Sequence, residues 1–192
     1  PITSVAAMIQ FDRGAFKLDD PVADALPKLA KVRVKADDRK TKPLARPITY
    51  RDLLRHTSGF YGYDGAYNED GFWARTVKAE GLAKIIGELA REPIEHQPGA
   101  KYTYGMSTAV MGRAIEMLSG RPLDKFLWEE LFRPLGMRHT WFYLSRDSRE
   151  LFQPLTVFEN GKLRVGKPEE DELPYEVGST LYLGGEGLVS TL

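Results

Sequence analysis

The stretch from Pro98 to Tyr143 limits the fold more than any other, because it sets two helical periods end to end. Val110, Met111, Ala114, Ile115 and Leu118 recur at helical spacing, and Gly120 supplies a stop for the first helix. Pro122 is suited to the first position of a second helix, whose apolar face is Phe126, Leu127 and Leu131. Pro134-Leu135-Gly136 ends that helix, and His139-Thr140-Trp141-Phe142 reads as a strand beyond it. Upstream, Tyr102, Thr103 and Tyr104 alternate like a strand end, with Ser107 or Thr108 as a cap for the helix that follows. Tyr104 thus stands where an extended piece becomes a helix, with backbone holding it on both sides. A chemical group that must be placed accurately can be mounted there.

Composition narrows the classes. With 27 basic and 27 acidic side chains the formal charge is zero, so no chain-wide field draws it to nucleic acid or to a membrane surface. The absence of cysteine removes disulfides, thiol nucleophiles and thiolate metal sites. No apolar run approaches the ~20 residues that a membrane-crossing helix needs. At 192 residues the chain can bury a real core. It opens at Pro1 inside an apolar, helix-like run and closes at Gly187-Leu-Val-Ser-Thr-Leu192 in another, which leads us to expect an internal piece of a longer protein. A targeting segment would lie upstream of such a piece, so compartment and oligomeric state stay open.

The periodicity predicts a helix over Pro1–Gly14 with Val5, Met8, Ile9 and Ala6 as the inward candidates, then a turn and short helix over Leu18–Ala25. Val32 and Val34 alternate as a short strand before a charged loop. Thr49-Tyr-Arg-Asp52 reads as a capping box stapled by Ile48 and Leu53, delivering His56-Thr57-Ser58-Gly59 onto a loop. Phe60 to Asp70 is an aromatic, glycine-rich loop of the kind that lines pockets. Helices are expected at about 70–78 and 80–91, the second with Leu82, Ile85, Ile86 and Leu89 inside. Phe152–Phe158 and Lys162–Val165 around Glu159-Asn160-Gly161 read as a hairpin, followed by an acidic loop.

Three segments in order carry a family resemblance: ITYRDLLRHTSGFYGY, PGAKYTYGMS through LSGRPLDKFLWEELFRPLGMRHTWF, and GGEGLVST. They resemble landmarks of the serine β-lactamase-like superfamily, with class C β-lactamases, family VIII esterases and DD-peptidases as the nearest branches. The resemblance implies an α+β, β-lactamase/transpeptidase-like fold, of which residues 1–192 form a partial domain covering mainly the helical part and a few short strands. It also implies hydrolysis through a serine ester, with Tyr104 as general base and no metal or organic cofactor. The family's Ser-x-x-Lys nucleophile and Lys-Thr-Gly strand are absent from the chain, and alignment puts them before Pro1 and after Leu192. The piece is therefore expected to be inactive alone.

Met106 stands where β-lactamases carry an asparagine that bonds the substrate amide; methionine has no comparable donor or acceptor. That departure favours an esterase acting on a small ester over an amide substrate, with Met106, Tyr61 and Tyr63 as candidate substrate contacts. A β-lactamase or DD-peptidase, and a non-catalytic peptide- or cell-wall-binding relative, are the alternatives. His56 is expected to hydrogen-bond beneath its loop, and Ser58 to be a turn residue. Gly105-Met-Ser107-Thr-Ala109 lacks both the closing glycine and the strand–helix setting of a nucleophile elbow. His56, His96 and His139 lack the spacing of a zinc site.

Overall fold

The computed structural model describes residues 1–36, 40–61, 80–153, 155–167 and 178–191. The expected helix at 70–78, Tyr63 with most of its loop, and the greater part of the acidic loop lie outside the described residues.

One helix forms the spine. α4 (Ser107–Ser119) buries Ala109, Val110, Met111, Ala114 and Ile115, and ends at Gly120 in the left-handed conformation at φ 67°. Around it pack α1 (Ile2–Asp12), α2 (Tyr50–Leu54), α3 (Leu82–Leu89) and α5 (Leu123–Leu127). α3 turns Leu82, Ile85, Ile86 and Leu89 inward as its periodicity predicts. α5 starts after Pro122 and widens into a π turn over Trp128–Phe132, keeping Phe126, Leu127 and Leu131 buried.

Two helical expectations are corrected. In α1 the buried face is Thr3, Ala6, Ala7 and Gln10, while Val5 is 45% and Met8 36% exposed. Small side chains let α1 lie close to α4. Thr3 Oγ1 donates to Gly184 O at 2.5 Å, which fixes the rotation of the helix. The start of α4 has Met106 as N-cap and no side-chain cap. Its hydroxyls are used elsewhere: Ser107 Oγ lies 2.8 Å from Ser58 Oγ, and Thr108 Oγ1 lies 3.4 Å from His56 Nε2.

Strands among the described residues are short. β1 (Val34–Lys35) pairs antiparallel with β2 (Thr41–Lys42), Val34 opposite Lys42, and Val34 also bridges Ile94 in parallel. β3 (Thr156–Glu159) and β4 (Lys162–Val165) form the expected hairpin, with Thr156 opposite Val165. Asn160 and Gly161 at φ 52° and 76° give the turn that matches strand twist. The strand expected at His139–Phe142 reduces to one antiparallel bridge, Trp141 to Val189. Tyr102–Tyr104 is likewise irregular chain, although its exposure does alternate.

Candidate active site

The site is a clasp between two segments. Backbone N–H groups of Glu95, Gly99, Thr103 and Met106 donate to the carbonyls of Gly59, Thr57, His56 and Tyr61, at 2.7, 2.8, 2.8 and 3.4 Å. The loop after α2 and the chain leading into α4 are thus laced together. Gly59, at φ 88°, is required twice over: its conformation disfavours a side chain, and a Cβ there would collide with His96 O. His96 adds the side-chain lacing. Its Nδ1 lies 2.9 Å from Gln97 O and its Nε2 2.9 Å from Thr103 Oγ1.

Beneath the clasp sits Asp52. The capping box forms as expected, with Thr49 Oγ1 accepting from Asp52 N and Asp52 accepting from Thr49 N. The same carboxylate accepts from Arg46 Nη1 and Nη2 at 2.6 and 2.9 Å and from Thr57 Oγ1 at 3.0 Å. Burial alone pushes its pKa up, but the hydrogen bonds from Arg46, Thr49 and Thr57 outweigh it and hold the carboxyl at about 2. Asp52 therefore ties helix, loop and Arg46 together as one charged knot.

On this frame Tyr104 is 55% exposed, standing on the surface at the entry to α4. Clefts of about 480 and 720 Å³ flank the segments around α2. Neither includes Tyr104; the smaller is lined by Asp19, Arg46, Arg51, Asp52 and Arg55 among others. Beside Tyr104 lies His56, with ring centroids 4.8 Å apart and planes at 34°. His56 takes a φ of 53°, a left-handed conformation that costs a non-glycine residue roughly 1–2 kcal/mol. Its Nδ1 is buried and has no hydrogen-bond partner among the described residues. Burial pushes the imidazole pKa down, so the ring is uncharged at neutral pH.

The other candidates fall as follows. Met106 is 1% exposed and belongs to the core. As N-cap its side chain turns inward and backs the entry to α4. Tyr61 is half-buried against the core at the clasp's end, and Tyr63 lies outside the described residues. Ser58 is fully buried, bonded to Ser107 and accepting from Phe60 N at 3.3 Å, as suits a turn residue. Among the described residues no group of three His, Asp or Glu side chains stands close enough to hold a metal ion. No helix among them is long and apolar enough to cross a membrane. Sequence reasoning missed the contact of His56 with Tyr104; the HTS motif gave the place of the histidine but not the ring's direction.

The chain is similar to known proteins. The Beta-lactamase family model matches residues 1–192. Protein Rv1367c of Mycobacterium tuberculosis is 34% identical over 154 residues, covering 78% of this chain and 38% of its own length. Lovastatin esterase of Penicillium rubens is 31% identical over 151 residues, covering 74% and 37% respectively. The chain thus spans well under half the length of these curated relatives. Among solved structures, EstCE1, a hydrolase with promiscuous acyltransferase activity, superposes with a TM-score of 0.79 at 24% identity, over 99% of this chain and 53% of its own. The α+β, β-lactamase/transpeptidase-like fold expected from the three sequence landmarks is the fold found, and the chain belongs to the β-lactamase family.

Proposed function

We propose that this chain is the Tyr104-bearing part of a serine hydrolase that cleaves carboxylic esters through a serine acyl-enzyme. The observation that carries the reading is the mounting of Tyr104: an exposed phenol at the mouth of α4, held by a backbone clasp above the buried Asp52 carboxylate and its Arg46 partner. A nucleophilic serine, supplied by a Ser-x-x-Lys segment outside this chain, would lose its proton to Tyr104, acting as the phenolate held by that segment's lysine ammonium, as Oγ attacks the ester carbonyl. The tetrahedral intermediate would collapse by breaking the bond to the alkoxide, which takes that proton from Tyr104. Water would then repeat the cycle on the acyl-enzyme, releasing the acid and restoring the serine. The sequence needs no metal or organic cofactor.

An ester is favoured over an amide for two reasons. At the position where a polar residue would hold an amide, the buried Met106 offers no group that could bond one, and lovastatin esterase is among the relatives of this chain. EstCE1 adds a second acceptor to consider, an alcohol in place of water in the second half-reaction. The test uses the full-length protein with p-nitrophenyl esters. Tyr104→Phe is expected to lower kcat/KM by about 10²-fold or more, as loss of a general base does. Unchanged turnover would remove Tyr104 from the chemistry. Faster turnover of nitrocefin than of esters would move the reading to a β-lactamase, and no turnover of either would favour a binding protein.

A further inference from the structure

Resting on the reading of Tyr104 as the base, we propose that His56 is the positioning residue of the Tyr104 phenol, its ring fixed as the plate against which the phenol is set. Two unfavourable features coincide at His56. Among the described residues only His56 and Asn160 combine a side chain with positive φ, and Asn160 is accounted for by its hairpin turn. His56 lies in no hairpin. Its Nδ1 is also buried without a partner among the described residues, where an ordinary packed histidine satisfies both nitrogens. Strain and an orphaned polar atom persist where the surrounding structure imposes them, commonly at functional sites.

What the fold obtains is a two-point grip. His56 O accepts from Thr103 N at 2.8 Å, fixing the main chain one residue before Tyr104. The ring of the same residue lies 4.8 Å from the Tyr104 ring and 5.9 Å from that of Tyr102. Thr108 Oγ1 of α4 stands 3.4 Å from Nε2. Backbone and side chain of one residue therefore set both the position and the tilt of the phenol.

The charge state suits that role. Among the described residues the titratable side chains against the ring are Tyr102 and Tyr104, and Thr108 is the polar contact from α4. Arg55 is its charged chain neighbour, and Asp52 is committed to Arg46. Burial pushes the imidazole pKa down, so near neutral pH the plate adds no charge beside the phenol. Protonation at acid pH would place an imidazolium there.

The test is the pH profile of ester hydrolysis in the full-length protein, for wild type, Tyr104→Phe, His56→Asn and His56→Phe. Asparagine tolerates the left-handed backbone but removes the plate; phenylalanine keeps a plate that cannot titrate. His56→Asn is expected to lower kcat about tenfold or more, with KM changed less than about threefold and little loss of Tm. His56→Phe is expected to keep kcat within about threefold and to move the acid limb, below pH ~6.5, by roughly half a unit or more. If Tyr104→Phe is impaired but neither His56 variant changes kcat or the acid limb, the positioning role is overturned and the Tyr104 reading stands. An active Tyr104→Phe overturns both. Equal losses in the Asn and Phe variants with an unmoved acid limb would reduce His56 to a structural residue. If His56→Asn does not fold, the acid limb of His56→Phe decides alone.

Discussion

At the scale of single residues, the clasp depends on one position that admits no side chain. Gly59 lies at φ 88°, and a Cβ there would press on the His96 carbonyl, which is backbone and cannot swing away. Gly59→Ala is expected to cost about 2 kcal/mol or more from conformation and crowding together. Thermal denaturation would then show Tm lowered by roughly 4–8 °C for a chain of this size. An unchanged Tm would mean that the two segments can part without loss, and the clasp would not hold Tyr104. Residue identity was legible here where it repeats a motif: Tyr104 was singled out from the triplet that opens α4. Side-chain direction was not. Met106 is 1% exposed, because a residue at the N-cap turns with the first helical turn, and its neighbours decide which way that is. The contact of His56 with Tyr104 joins residues 48 positions apart through a left-handed backbone angle, which no local pattern announces.

At the scale of elements, α2 is five residues long and owes its place to Asp52. Isolated helices that short are not stable, so the capping box and the ion pair to Arg46 must supply what length does not. The sign of the pH dependence follows from the direction of the shift. With Asp52 held at about 2, below its ordinary value near 3.9, its contribution is complete above pH ~4 and disappears as pH falls through 2. A shift of that size corresponds to roughly 2–3 kcal/mol. Asp52→Asn is therefore expected to lose about 2 kcal/mol in urea unfolding at pH 6, with the gap to wild type closing toward pH 2. A gap of the same size at both pH values would assign the loss to shape and not to charge. The capping box was legible because its rule is local, three residues apart. The inward face of α1 was legible only in part: Ala6 is buried and Ile9 packs against the core as expected, but Val5 and Met8 are exposed while Thr3, Ala7 and Gln10 are buried. Periodicity weighs how apolar each residue is, while contact with α4 decides which face turns inward, and only that partner reveals it.

At the scale of the whole molecule, the three sequence landmarks gave the family and the order of elements, because each is a local pattern and their sequence of appearance is itself information. Long-range pairing was not available in the same way: among the described residues the strand expected at His139–Phe142 pairs through a single bridge, Trp141 to Val189. The surface carries a further consequence. In the β3–β4 hairpin, Phe158, Leu163 and Val165 are 72%, 72% and 66% exposed, and Phe158 stands directly opposite Leu163 in the register. A two-stranded hairpin is marginal in water without a surface to pack on, and adjacent exposed apolar side chains of this size attract association. The 192-residue chain alone is expected to raise the fluorescence of a hydrophobic dye and to elute above monomer size at micromolar concentration. The double substitution Phe158→Ser and Leu163→Ser is expected to reduce both signals, while leaving the α4 core, and hence far-UV circular dichroism, largely unchanged. A wild-type chain that is monomeric and dark with the dye would show that the hairpin covers its own apolar face. A double variant as adhesive as the parent would place the association elsewhere, with Val5 and Met8 on the outer face of α1 as the next pair to change.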